Sequence, residues 1–221
     1  MLSPEGAAIC QRTKTAVVAD VHLGYEWARA SGGDMVPSHS LSETIEKLSS
    51  LMGRFEFRRL VVAGDLTESS RPCPQTAHDV AALVRWLRVR GVELVWLAGN
   101  HDPPRRPPLP ETFQVSGWTI GHGHRPIQAD PIIIGHHHPA IRAEGRSFPC
   151  FLVGPAAIAL PSFSPNAAGL DLATSALPVT WSKWPLRCLA SCGKELLDLG
   201  SLADLRRRTA VKSRRGSRFD H

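Results

Sequence analysis

Nine residues that can bind a metal ion or move a proton follow short apolar runs: Asp20 with His22, Asp65, Asn100 with His101 and Asp102, His122, and His136 with His138. The runs occupy residues 16–19, 60–63, 92–97, 118–120 and 132–134. Short apolar runs bounded by glycine or polar residues read as buried strands. In layered α/β folds, chemistry collects in the loops just beyond strand ends, where a rigid element presents side chains to solvent. Five strand ends therefore carry five polar clusters.

Asp20 and His22 are two apart on extended chain, as are His136 and His138, so each pair projects to one face and can grip one ion. Asp65, Asn100 and His122 add a carboxylate, an amide oxygen and an imidazole. That makes seven nitrogen or oxygen ligands with no cysteine among them, whereas a structural zinc usually closes with four ligands, often thiolates. Seven suit two ions; if Asp65 bridges them, each has about four protein ligands and keeps positions open for water and substrate. A mixed imidazole and oxygen set favours manganese, iron or zinc over calcium or magnesium, whose sites use oxygen almost alone. Two divalent ions outweigh the charges of Asp20 and Asp65, and the surplus suits a phosphate ester anion. Metals about 3.5–4 Å apart acidify a shared water and stabilise a leaving oxygen, the layout of a phosphoester hydrolase.

Seven of the ten histidines lie in these clusters, and His39, His78 and His221 carry no pattern. His124 is open between support of the site and simple solvation, and strand alternation should turn His137 away from the metals.

The elements that must position these residues are legible in order. After the first strand, residues 23–37 read as a loop with at most one helical turn, lining the first cluster. A helix starts at Ser40 with a capping-box pattern, Glu43 following three residues later, and places Leu41, Ile45, Leu48 and Met52 on one face. A second helix over residues 75–90 stops at Gly91. Strand, helix, strand, helix, strand is a wound α/β layer. The proline-rich stretch 103–110 is a stiff surface loop whose Arg105 and Arg106 stand beside the central cluster. From Trp118 the pattern changes to short strands with Gly and Pro turns, a second sheet packed on the first.

A chain of 221 residues with 43% apolar content fits one domain with a sizeable core. No apolar run is long enough to span a membrane, and residues 1–14 lack the apolar segment of a secretion signal. Five scattered cysteines fit a reducing, cytoplasmic setting, with Cys188 and Cys192 as packed thiols. The net charge of +6 leans toward an anionic partner such as nucleic acid. Seven basic side chains crowd between Arg206 and Arg218, so a domain over residues 1–205 and a basic tail without fixed structure over 206–221 are expected.

Asp-x-His, Gly-Asp, Gly-Asn-His-Asp, Gly-His and Gly-His-x-His, in this order from Asp20 to His138, resemble the calcineurin-like metallophosphoesterase superfamily. Residues 20–26, 135–139, 149–152 and 159–163 are similar in detail to its bacterial DNA-ligase-associated, DNA-damage-response branch, with Glu68 standing where that branch has histidine. The resemblance implies a four-layer αββα sandwich of two mixed sheets flanked by helices. It places Asp20, His22 and His138 on one metal, Asn100, His122 and His136 on the other, and Asp65 between them. His101 becomes the catalytic histidine near the leaving group, with Asp102 orienting it. The implied activity is phosphodiester hydrolysis with two divalent ions, manganese in preference to iron or zinc, acting on DNA in repair beside a DNA ligase and a helicase. Two other readings stand beside it: a phosphodiesterase of cyclic or small nucleotides, and a non-enzymatic interaction module on the same fold. Retention of every ligand and of His101 argues against the last.

Overall fold

The computed structural model describes residues 1–176, 178, 181 and 185–216, with side chains up to residue 209. The first half builds one sheet from β1 (Leu2–Ser3), β2 (Ala7–Cys10), β3 (Thr15–Val18), β4 (Arg59–Val62) and β5 (Glu93–Trp96), in that spatial order. β1, β2 and β3 pair antiparallel, while β3, β4 and β5 run parallel. The parallel strands are joined through α1 (Tyr25–Ala30), α2 (Ser40–Arg54) and α3 (Pro74–Val89), and Gly91 follows α3 at φ +70° as the expected stop.

The second half adds β6 (Thr112–Val115), β7 (Trp118–Gly121), β8 (Ile132–Ile134), β9 (Pro139–Ala143), β10 (Arg146–Val153), β11 (Ala157–Ala159), β12 (Leu170–Asp171), β13 (Arg187–Cys192) and β14 (Glu195–Ser201), then α4 (Leu202–Gly216). These strands form a second mixed sheet in which β7, β8 and β11 run parallel and β10 pairs antiparallel with β9, β11 and β13.

Alternation along the strands sets the layers. Val17 and Val61 face the second sheet, where they meet Ile120, Ile133 and Phe151 in a core between the sheets. Their neighbours Ala16, Val18, Leu60 and Val62 face the other way and are covered by Leu48 and Leu51 of α2 and by Leu83 and Leu87 of α3. On the far side, Cys150, Leu152, Cys188 and Ala190 meet Leu202 and Leu205 at the start of α4. This is the expected αββα sandwich of two mixed sheets, with α4 as the helix on its second outer face.

Two local expectations are corrected. The amide of Ser40 is capped not by a Ser40–Glu43 box but by Glu26, a buried carboxylate from α1 whose Oε1 also accepts from Ser38. The boundary expected after Leu205 falls inside α4, so residues 206–216 begin as helix. Ser201 Oγ caps that helix at the amide of Asp204, and the Arg206 guanidinium donates to the carbonyls of Leu172 and Ser175. The basic side chains Lys212, Arg214, Arg215 and Arg218 lie outside the described residues. Among the described residues, no helix is long and apolar enough to cross a membrane.

Phe151 is fully buried between the sheets, and Phe151→Ala should lower unfolding free energy by about 3–5 kcal/mol. Val89→Ala, at an exposed position of α3, should change it by less than about 0.5 kcal/mol. Urea unfolding of both variants measures the contrast.

Candidate metal centre

Both sheets deliver their chemistry at the same edge. In register, Val18 pairs with Val62 and Val62 with Trp96, so Asp20, Asp65 and the 99–102 turn lie just past the ends of three parallel strands. Gly121 pairs with Ile134, which puts His122 and His136 just past β7 and β8. Eight described residues other than glycine have φ in the left-handed region, and five of them are Asp20 (58°), His22 (53°), Asp65 (50°), His136 (69°) and His138 (45°). Such conformations cost of order 1–3 kcal/mol each and persist where the surroundings impose them. Each is the first or third residue of a strand-end cluster, where the chain turns sharply to aim a side chain inward.

The side chains converge in three overlapping groups whose candidate ligand atoms lie within 4.8 Å of one another: Asp20, His22 and His138; Asp20, Asp65 and His122; and His22, Glu68 and His101. Asp20 is the hinge of the first two. Its Oδ1 lies 3.0 Å from His122 Nε2 and 3.2 Å from His138 Nε2, and its Oδ2 accepts the His136 amide at 2.9 Å. Asp65 Oδ2 lies 3.3 Å from the same His122 nitrogen, and Asp65 Oδ1 accepts the His101 amide at 2.8 Å. Two glycines make the closeness possible. A Cβ on Gly99 would sit 2.0 Å from Asp65 Oδ1, and one on Gly135 would sit 2.6 Å from Asp20 Oδ2.

Asp20, Asp65, His22 and His122 are buried. Burial opposes ionisation of Asp20, but the facing His122 and His138 outweigh it and hold the carboxyl well below its usual range; Asp65 is lowered for similar reasons. Burial likewise opposes a proton on His122, yet the two carboxylates raise it to about 9. A proton on His122 Nε2 therefore faces both Asp20 and Asp65. His136 goes the other way: burial and the neighbouring His122 push it down to about 4, leaving a neutral ring with a free lone pair, the form that binds metal. His22 Nδ1 is buried without a hydrogen bond; Glu68 Oε2 approaches to 2.9 Å but not in hydrogen-bonding geometry. Convergent imidazole and carboxylate donors with an orphaned buried nitrogen fit cations better than they fit a satisfied polar core.

Of the remaining expected residues, His136 faces His122 with ring centroids 5.0 Å apart. Asn100 stands exposed in the turn after β5, and its side chain makes no hydrogen bond among the described residues. His101 is half-exposed at the rim, with Nε2 4.0 Å from Asp65 Oδ2. Its Nδ1 donates at 2.7 Å to the carbonyl of Glu68. A carbonyl only accepts, so Nδ1 carries a proton and Nε2 is the ring nitrogen left facing the site.

Asp102 is corrected. Its carboxylate does not reach the His101 ring. Oδ2 accepts the amides of Asp65 and Gly99, both at 2.9 Å, and Oδ1 accepts the amide and hydroxyl of Thr67. Asp102 ties two ligand-bearing loops together, and the Glu68 carbonyl does the orienting. Burial raises its carboxyl against the pull of the Thr67 and Gly99 amides.

Three contributors were not singled out as site residues from the sequence. Glu68 bears on both His22 and His101, and its signal was a carboxylate three residues after Asp65. Ser162 donates to the carbonyl of Asp20, and the amides of Phe163 and Ser164 bond the carbonyls of Ala19 and Asp20. His124 Nδ1 lies 3.0 Å from His122 Nδ1, a supporting place. His137 stacks edge-on against Trp181 at 4.8 Å, and its ring also lies 4.9 Å from that of His136.

A family model described as calcineurin-like phosphoesterase matches residues 13–159, which hold every strand-end cluster. The chain belongs to the calcineurin-like phosphoesterase family. As a member it is a metal-dependent phosphoester hydrolase, of a family that works with a dinuclear divalent-metal site, and the three side-chain groups are its candidate ligands. The DNA double-strand break repair protein Mre11 of Methanopyrus kandleri is 34% identical over 93 residues, 42% of this chain and 20% of that protein. The chain thus spans about a fifth of that relative's length. The crystal structure of nuclease MPE from Pseudomonas putida matches with a TM-score of 0.65 at 21% identity, covering 90% of this chain and 94% of that one. At that identity the likeness speaks for the phosphoesterase fold.

Asp102→Ala in this phosphoesterase would strand three inward-facing amides, at roughly 1–3 kcal/mol each. Unfolding free energy should fall by about 3 kcal/mol or more, while His101→Ala, at a half-exposed ring, should cost about 1 kcal/mol or less. Chemical denaturation of the two variants in one buffer separates the roles; equal, small losses would return Asp102 to the rim.

Proposed function

We propose that this chain hydrolyses phosphodiester bonds in nucleic acid, DNA first, at a two-ion centre with manganese as the working metal. The observation that carries the proposal is the convergence of Asp20, Asp65, His22, His122 and His138 at the joint edge of both sheets. Asp20, His22 and His138 would hold one ion, His122, His136 and Asn100 the other, with Asp65 available to both. Ions so placed would supply positive charge to the phosphoryl oxygens and acidify a water.

The chain's own residues do the rest. Neutral His136 offers its lone pair without first losing a proton. Asp65 is pinned by the His101 amide, and the loop bearing it by Asp102, so the shared carboxylate keeps its aim. His101, held at Nδ1 by the Glu68 carbonyl, turns Nε2 toward Asp65; in its imidazolium form, with a proton on each ring nitrogen, it gives the Nε2 proton to the departing oxygen and is left neutral. Its half-exposed ring lets a polymer approach from solvent.

Nucleic acid as substrate is supported by the names of the two relatives, a double-strand break repair protein and a nuclease, and by the charge of +6. The similarity of residues 20–26 and 159–163 to the ligase-associated branch extends the proposal to DNA repair, beside a ligase and a helicase. The basic residues that follow Leu205 add a further contact to the same polymer.

Dialysis against chelator should abolish cleavage of plasmid, single-stranded and duplex DNA, and Mn²⁺ should restore it above Mg²⁺ or Ca²⁺. Full activity of the metal-free protein would overturn the two-ion reading, and turnover of cyclic nucleotides with none of DNA would overturn the substrate. In the same assay, His101→Ala should slow cleavage by roughly 10²–10⁴ with metal content unchanged. Loss of bound metal in that variant would make His101 a ligand instead.

A further inference from the structure

Beside the candidate centre lies a groove of about 560 Å³ that no part of the hydrolytic chemistry uses. One wall is a stripe of α3 from Thr76 through Ala77, Val80 and Val84 to Arg85 and Arg88, running about 18 Å along the helix. The other wall is Trp96 at the end of β5 with Pro103 and Arg105. Its near end is Thr67, Ser69 and Arg71, flanking Glu68, whose carbonyl holds His101. The groove therefore starts at the rim of the centre.

Its charge is one-sided. Arg71, Arg85, Arg88 and Arg105 line it, with no aspartate or glutamate among the lining residues. By contrast, Arg29 is paired with Asp34, Arg59 with Glu93 and Arg125 with Glu111. None of the four has a carboxylate within salt-bridge distance among the described residues. Uncompensated arginines gathered in one depression raise the local concentration of anions. The floor is apolar: Val84 is 41% exposed, and the Arg105 guanidinium carbon lies 4.7 Å from the centroid of the Trp96 ring, a cation–π pair.

We infer that this groove binds a single-stranded segment of nucleic acid and leads it to the metal centre, its phosphates on the four arginines and its bases against the Val84 and Trp96–Arg105 floor. The inference rests on the phosphodiesterase reading and adds to it the strand form of the substrate and its path. A duplex presents phosphates outward but keeps its bases paired and enclosed, so it could use the arginines and not the apolar floor. A single strand uses both, the combination of charged track and stacking platform that unpaired strands favour.

The test is binding without turnover. A fluorescein-labelled oligothymidylate of about twenty nucleotides, with phosphorothioate linkages that keep the charge and resist hydrolysis, is titrated with the metal-loaded protein at several salt concentrations. Arg85→Ala/Arg88→Ala should weaken binding by about tenfold or more and flatten the slope of log K against log salt by about 1.4, at 0.7 per lost phosphate contact on a single strand. Thermal melting and metal content confirm that the variant is folded and loaded. Arg142→Ala/Arg146→Ala, which removes two exposed charges on β9 and β10, should leave both quantities near wild type. An equal loss in that control pair would reduce the groove to diffuse charge, and an unchanged slope in the Arg85/Arg88 pair would remove it altogether. A duplex of the same length bound as tightly, with the same sensitivity, would overturn the single-strand assignment. Strand binding in a protein that cleaves no nucleic acid would leave this inference standing and sink the phosphodiesterase reading.

Discussion

The structure depends on keeping two carboxylates, Asp20 and Asp65, ionised in a place almost free of water. Both are buried and both sit against His122 Nε2, at 3.0 and 3.3 Å. Like charges at that depth are tolerated only when positive charge stands between them. His122, its pKa raised to about 9 by the two carboxylates, supplies that charge as a proton. The glycines at 99 and 135, which leave no room for a Cβ, and the left-handed turns at five of the candidate ligands follow from pressing these anions together.

The rest of the fold works as a clamp on that edge. Parallel pairing of β3, β4 and β5 fixes where the first three loops begin, and parallel pairing of β7 and β8 does the same for the histidine loops. The core between the sheets, centred on Phe151, Ile120 and Val61, sets the distance between the two groups. The 160–164 segment then crosses from the second sheet to bond the carbonyls of Ala19 and Asp20, so each half of the chain braces the other's ligands.

What the sequence made legible follows from period and adjacency. Strands ending at residues 18, 62 and 96, the apolar faces of α2 and α3, and the glycine stop after α3 are local patterns, and the structure has them. The convergence of Asp20, His22, Asp65, His122 and His138 could be expected because all follow strand ends of one layered fold. Contacts between residues close in space but far along the chain were illegible. Asp102 seemed bound to serve its neighbour His101, yet its hydrogen bonds go to the amides of Asp65 and Thr67, more than thirty residues away. Glu26 looked like part of a loop and is the cap of α2. The basic composition after Leu205 suggested an unstructured tail, while Leu202, Leu205 and the Ser201 cap, all before that boundary, carry α4 across it.

The bond from His101 Nδ1 to the Glu68 carbonyl makes the bearing of that ring independent of the side chain at position 68. Side-chain drift cannot delete a main-chain oxygen, so an exchange between glutamate and histidine at this position leaves the imidazole's bearing intact. What such an exchange does alter is the group facing His22, at 2.9 Å. Changing that one side chain would therefore alter what His22 faces, while the His101 ring keeps an alignment set by the path of the backbone.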